Sequence, residues 1–457
     1  MEDEPQPFDL LTTQHRDEPM ARIWSQEGSI SRWLATEAEL ARAQADVGVI
    51  LPEHAEEIAA ACAADAIDPG RLWHEARNVG YPILPLIRQI TAVLPPGPDG
   101  RVHYGATTQD IMDTALALQL GDSCRRLEDL LVGFGDALAR LVEEHASTVM
   151  AARTHAQHAV PTTFGAKTAV FLDEVRQELL RVRTIGTQVR VVSLFGAGGT
   201  SAAMGESSAR VRAGLANRLG LADCSVPWHV ARGNVLGFAL GAASVASLCT
   251  RFAREIVDLS RSEIGEVREP IGPHRGASST MPQKTNPISS ETVIGLAVNA
   301  ATLATALLRA REAGHERAAG EWQIEWFALP HVSIMTASAL ALSAQIAGAL
   351  HVSPDAMRRN LDVESGRIMS EAVMMRLAPQ AGRERAHDLV YAAAERGRTT
   401  GETLTVALHH TLPADLIGVV GSIEPGDYTG EAEQICAAAT HAWAAVRTTQ
   451  AQGEERP

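Results

Sequence analysis

Apolar side chains recur at helical spacing through most of this 457-residue chain, and no series of segments alternates in the way a sheet requires. Leu127, Leu130, Leu131, Phe134, Leu138 and Leu141 form one stripe, and Val245, Leu248, Phe252, Ile256 and Leu259 form another. Trp33, Leu40 and Val47 stand seven residues apart before Gly48 ends their segment. These patterns predict an all-α fold built on a bundle of long helices, and they argue against a doubly wound sheet or a barrel. The glycine-rich run Leu194–Thr200 lacks a framing strand–helix unit, so it is read as a close-packed turn carrying Thr200 or Ser201 rather than as a phosphate loop.

Apolar residues make up 46% of the chain, enough for a packed globule, and the length allows two or three domains. A net charge of −15 with no basic cluster argues against a nucleic-acid partner. Five cysteines, odd in number and without a C-x-x-C pair, suit a reducing cytoplasm and give no zinc signature. The acidic N-terminus has no apolar run behind it, so no signal peptide is expected. The apolar stretches at 293–308 and 337–350 contain Asn299 and Gln345; they are expected to be too short to span a bilayer and to form helices buried on all sides. One chain supplies few partners for such helices, which implies oligomerisation. At His351-Val352-Ser353-Pro354 a boundary is expected, with Ser353 capping a helix that Pro354 opens. The expected domains are 1–110, 111–353 and 354–457, ending in a polar tail from Gln450.

The chemistry concentrates in one loop, Gly276 to Pro287. It packs four hydroxyls, an ammonium and two amides between Ser278 and Asn286, and Gly276, Pro282 and Pro287 mark it as a shaped loop. It also holds Lys284, one of only two lysines in the chain; the other is Lys167. Where nearly every cation is arginine, a retained lysine suggests a place for a compact ammonium. A proton beside a carboxylate is a weak acid. Its removal needs a base at close range and fixed donors for the enolate-like charge that forms. Lys284 and Asn286 can supply donors, and a serine can serve as the base where the same positive field stabilises its alkoxide.

This loop resembles the G-S-S-x-x-P-x-K-x-N signature of the aspartase/fumarase superfamily through Ser278, Ser279, Pro282, Lys284 and Asn286, with Ala277 between the glycine and the serine pair. His103-Tyr104-Gly105-Ala106-Thr107-Thr108-Gln109-Asp110 resembles a second region, H-x-G-x-T-S-x-D, and Arg153-Thr154-His155-Ala156-Gln157-His158-Ala159 a third, R-T-H-x-Q-x-A. Similarity to the 3-carboxy-cis,cis-muconate cycloisomerase branch extends through 20–50, through 81–87, and through His315-Glu316-Arg317 with Trp322 and Trp326. The resemblance implies a three-domain helical fold around a central bundle, and a homotetramer whose active sites are shared between subunits. The implied substrate is a small dicarboxylate, with no cofactor, metal, nucleic acid or membrane. Ser278 is the implied base, Lys284 and Asn286 hold one carboxylate, Thr107 and Thr108 hold the other, and His155 orients or protonates the leaving group. Gln109, Thr154, Thr200, Ser201, Ser279 and Met281 complete the expected substrate contacts.

Departures from the relatives narrow the reaction. Adenylosuccinate lyases carry an Arg-Tyr pair and a T-R-H-D-V segment, where this chain has His15-Arg16-Asp17 and Ala76-Arg77-Asn78-Val79-Gly80. The cycloisomerase branch usually has tryptophan at the place of His155, histidine at the place of Gln283, and a second arginine near Asn234. The expectation is therefore β-elimination from a C2-substituted succinate to give fumarate, with C–N cleavage of an amine or nitro group, as in nitrosuccinate to fumarate and nitrite. The alternative is cyclisation of 3-carboxy-cis,cis-muconate. A scaffold without activity would be expected to have lost a motif side chain, and Ser278, Lys284, Asn286 and His155 are all present. Side chains facing C2 are expected from 77–81 and 232–234.

Overall fold

The computed structural model describes residues 13–448 except 271, 273–275, 277–279, 282 and 318, and only the backbone of residues 64 and 448. In chain order the first helices are α1 (Glu18–Ile23), α2 (Gln26–Asp46), α3 (Pro52–Ala61), α4 (Pro69–Val79), α5 (Ile83–Ala92) and α6 (Thr108–Glu144). After a hairpin of β1 (Val149–Thr154) and β2 (Gln157–Thr163) come α7 (Phe164–Val189), α8 (Ser208–Leu219) and α9 (Gly233–Leu259). Strand β3 (Val267–Arg268), α10 (Ile288–Ala304), α11 (Ala306–Ala310), α12 (Glu321–Gly348) and β4 (His351–Val352) follow. The chain ends with α13 (Pro354–Leu361), α14 (Ser370–Ala381), α15 (Arg383–Thr400), α16 (Leu404–Thr411), α17 (Ala414–Val420) and α18 (Ala432–Thr448). The expected all-α class holds.

Helix starts follow local chemistry. The side chains of Asp17, Ser25 and Asp68 accept N–H groups in the first turns of α1, α2 and α4. Ser353 caps α13 through the Ala356 N–H, with Pro354 at the first helical position, as its sequence predicts. Such caps contribute about 1 kcal/mol each. The sequence after Pro287 allows Ser289 or Ser290 to cap a helix there, and the structure corrects that reading. Both lie inside the helix, and their N–H groups donate to the buried carboxylate of Glu269 at 3.1 and 2.6 Å. A charged acceptor that takes two free N–H groups at once serves better than one hydroxyl.

The chain forms two compact units. The first comprises Met1–Leu130, Glu178–Cys249 and Gly295–Ala341. Its core includes Leu34, Leu40, Ile83, Leu86, Ile111 and Leu215, all nearly or wholly inaccessible to solvent. Each such burial stabilises by roughly 1.5–3 kcal/mol. The second unit comprises Leu131–Gln177, Thr250–Ile294 and Leu342–Pro457. In it the stripes read from the sequence meet, with Phe134 of α6 and Phe171 of α7 both edge-on to Phe252 of α9. Leu361, Ile368, Val373, Leu377, Leu404 and Leu408 form its other core cluster.

Two short antiparallel pairs were not expected. β1 pairs with β2, Thr154 opposite Gln157, and β3 pairs with β4, Val267 opposite Val352. The reading of the apolar stretches is also corrected. Gly233–Leu259, Ile288–Ala310 and Glu321–Gly348 are each long and apolar enough, by length and composition, to cross a bilayer. The apolar stretches 293–308 and 337–350 are shorter than the helical segments they belong to, which carry Asn299 and Gln345 along. Nor are these helices buried on all sides. The apolar window of Ile288–Ala310 is only 33% buried in the chain, against 61% for the other two.

Candidate active site

In the first unit the site begins at the N-terminus of α6. Asp110, with no solvent exposure, accepts the backbone N–H groups of Thr107 at 3.0 Å, Phe195 at 2.8 Å and Gly196 at 2.9 Å, and its carboxylate lies 2.8 Å from His229 Nε2. A buried carboxylate needs such donors. The bond back to Thr107 is half of a capping box, and the bonds to 195 and 196 draw the glycine-rich turn onto the helix start. Gly105, at φ 74°, packs so closely on Met204 that a Cβ there would stand 2.7 Å from its Cγ.

Arg317 completes this cluster. Its Nη1 donates to the Thr107 hydroxyl at 3.2 Å and its Nη2 to the carbonyl of Ala197 at 3.4 Å, while its Nε is buried without a partner among the described residues. The structure thus brings Thr107, Arg317 and the turn at Ala197 together, beside a helix N-terminus whose free N–H groups favour an anion. Thr200 is exposed on the turn. Two other expected contacts point inward: Gln109 is buried and donates to the carbonyl of His229 at 2.8 Å, and the Ser201 hydroxyl donates to the carbonyl of Leu194 at 3.5 Å.

In the second unit His155 and Ala156 form the two-residue tip of the β1–β2 hairpin, with φ of 50° and 62°. Positive φ at both central positions is the primed turn that matches strand twist, usually built with Asn-Gly. Non-glycine residues there cost about 1–2 kcal/mol each. His155 and Thr154 are exposed. Behind them Arg153 forks onto the fully buried Glu266 at 2.9 and 2.7 Å, and Glu266 also accepts from Asn360 at 2.7 Å. Arg153 therefore anchors the hairpin and leaves the tip to His155. Burial, then the nearby Arg153, hold His158 below the usual imidazole range.

The signature loop is closed at its base by the Asn286 N–H, which donates to the carbonyl of Gly276 at 3.0 Å. Lys284 and Met281 are exposed, and the Lys284 N–H donates to the carbonyl of Met281 at 3.1 Å. Ser278 and Ser279 lie outside the described residues. Gly276 is required twice over: its φ is 67°, and a Cβ would stand 2.6 Å from the Asn286 carbonyl oxygen. Gly276→Ala is expected to lower turnover by at least about tenfold while moving the thermal midpoint by no more than about 4 °C. Normal turnover in that variant would mean that the loop's base does not set its chemistry.

Arg232, expected to face the substrate, is instead wholly buried. Its guanidinium forks onto Asp113 at 2.8 and 3.0 Å and bonds to Glu325, with the face of Trp228 4.9 Å from its Cζ. Every edge of the fork is occupied, so none is left for a ligand. Arg77 and Val79 lie inside α4 rather than on an irregular segment. Among the described residues no group of three His, Cys, Asp or Glu side chains could hold a metal ion.

Residues 12–301 match the family described as Lyase. The chain is 37% identical to the 3-carboxy-cis,cis-muconate cycloisomerase of Pseudomonas aeruginosa, over 91% of its own length and 92% of that protein's. The chain belongs to this lyase family, within the aspartase/fumarase superfamily. It is also 33% identical to the N-acetyl-S-(2-succino)cysteine lyase of Dickeya dadantii, over 91% of this chain and 92% of the relative. The crystal structure of a fumarate lyase from Mesorhizobium sp. BNC1 superposes with a TM-score of 0.86 at 36% identity, covering 93% of this chain and 98% of that one. The lyase-family match takes in Thr107, His155 and Lys284 but ends before Arg317, whose place at Thr107 is a finding of the structure alone.

Proposed function

We propose that the protein eliminates a nitrogen substituent from a C2-substituted succinate to give fumarate. The observation that carries this reading is the Arg317 guanidinium on the Thr107 hydroxyl, a fixed cation and hydroxyl of the size of one carboxylate. Lys284 and Asn286 offer a second such set on the signature loop. Thr107, Thr108 and Arg317 hold one carboxylate of the diacid, and Lys284 and Asn286 hold the other. Ser278 takes the proton from C3. The electron pair spreads into the adjacent carboxylate as an aci-carboxylate, which then collapses to the C2=C3 double bond and expels the C2 substituent with the pair of the broken C–N bond. A nitro group leaves as nitrite, with His155 only orienting it; an amine needs a proton from His155. The enzyme acts as a homotetramer in the cytoplasm, with the two carboxylate holders drawn from different subunits. The one-third burial of Ile288–Ala310 and the exposed Leu240, Val298, Leu308 and Phe327 support the association.

The test is a screen of 2-amino-, 2-alkylamino- and 2-nitrosuccinates read by the ultraviolet absorbance of fumarate, with 3-carboxy-cis,cis-muconate as the parallel arm. The 37% identity to a cycloisomerase favours that second reading. Loss of muconate absorbance with no fumarate from any succinate would replace the elimination by cyclisation. His155→Asn probes the leaving group. About a hundredfold loss is expected with amine substrates, and a loss within about threefold with nitro substrates. Equal losses in the two series would count against a proton donor at the hairpin tip.

A further inference from the structure

Glu37, on α2, is a buried charge that the elimination does not use. It is 1% exposed, its Oε1 lies 2.6 Å from His103 Nδ1, and its Oε2 has no partner among the described residues. A carboxylate so placed costs several kcal/mol of desolvation, of which one ion pair recovers only part, so an apolar side chain would serve the core of α2 better. Its one visible task is to hold His103, a residue with φ 58°. Two turns further along the same face of α2, the wholly buried Gln44 donates from Nε2 to the carbonyl of Tyr104 at 2.6 Å. The Ala106 N–H donates back to the carbonyl of His103 at 3.2 Å, and Thr107 follows at once.

We propose that Glu37 and Gln44 are positioning residues that clamp the 103–106 turn, and through it aim the hydroxyls of Thr107 and Thr108 at the substrate carboxylate. The aim of those hydroxyls rests on the reading given under Proposed function; the clamp does not. The charged groups facing His103 are Glu37 from α2 and Asp110 from α6. Burial alone would lower the imidazole, but the charge and hydrogen bond of Glu37, with Asp110 behind, hold it above its usual range. Cys62, just past α3, faces Glu37, and burial with that neighbour pushes its thiol up to about 12, so it stays neutral. The clamp is thus ionic below the raised value of His103 and weakens as pH rises through it.

Glu37→Gln keeps the acceptor and removes the charge; Gln44→Met removes the other arm and nothing titratable. In the full-length protein, amide hydrogen exchange across 103–110 should quicken by about tenfold or more in each variant, with the rest of the chain unchanged. Fumarate affinity by calorimetry at pH 7 should fall by about tenfold, a shift of about 1.4 kcal/mol. For Glu37→Gln the gap to the wild type should close as pH rises through the raised value of His103, because the wild type then loses its ion pair too. For Gln44→Met it should stay constant. Unchanged exchange at 103–110, or faster exchange throughout the core, overturns the clamp. Quickened exchange with wild-type fumarate affinity overturns its role in binding, provided that Thr107→Val weakens fumarate. If Thr107→Val leaves fumarate binding intact, the carboxylate reading of Thr107 is what fails, and the exchange result still decides the clamp.

Discussion

Ser278→Ala is expected to lower turnover by about 10³- to 10⁴-fold, the upper range for a general base, while fumarate binds within about threefold of normal. The split follows from what the hydroxyl does. A serine alkoxide acts only while C3–H is breaking, so its loss falls on the transition state and spares the ground state. The loop around it supplies the conditions. Gly276 and Asn286 close its base, and Lys284 stands exposed near its end. Of the two lysines, Lys167 is occupied by Glu255 at 2.6 Å, whereas among the described residues no carboxylate pairs with Lys284. Rarity of lysine therefore picked out one ordinary ion pair, at Lys167, and one exposed ammonium, at Lys284, whose role the next variant tests. Lys284→Met separates base from field: it should weaken fumarate binding as well as turnover, because the ammonium holds the carboxylate before and during reaction. Turnover of Ser278→Ala within about tenfold of the wild type would remove Ser278 as the base.

What could be read along the chain was local. The stripe Leu127–Leu141, the cap at Ser353 and the shaped loop opened by Gly276 each depend on neighbours within a few residues, and each is present. What stayed hidden is paired over long separations. Arg317 meets Thr107 across 210 residues, and Asp110 meets His229 across 119. No periodicity reports such partners; the only available signal was that Arg317 sits in a segment, His315-Glu316-Arg317, resembling the same relatives. The β1–β2 hairpin escaped because its turn uses His155-Ala156, which the usual turn residues would not announce. Non-glycine residues of positive φ among those described are His103, His155, Ala156, Ser201, His315 and Ser365; the first four lie in segments read as belonging to the site, and His315 stands two residues before Arg317. Strained backbone gathers where geometry matters more than stability, which is also why propensity fails there.

Arg232→Met is expected to cost about 3–5 kcal/mol of stability, and to cost more at pH 8 than at pH 5. Arg232, Asp113 and Glu325 have side chains 3%, 1% and 2% exposed. One guanidinium serves two carboxylates, so burial pushes both Asp113 and Glu325 above the usual carboxyl range in spite of it. Take the cation away and both rise further, since nothing then opposes desolvation. A carboxyl whose folded value stands above its unfolded value holds its proton more tightly in the native state. Its penalty is absent below the unfolded value, near 4, and grows as pH climbs through the folded one. The gap in thermal midpoint between Arg232→Met and the wild type should therefore widen from pH 5 to pH 8. Adding Asp113→Asn and Glu325→Gln to the same variant should recover most of the loss and flatten its pH dependence, because the neutral side chains need no counter-charge. A midpoint gap that is equal at the two pH values, or smaller at pH 8, would show that the loss is one of packing against Trp228 rather than of charge. Fumarate affinity of the folded variant should match the wild type. Weakened binding without a stability change would instead return Arg232 to the substrate-facing role that its enclosed position argues against.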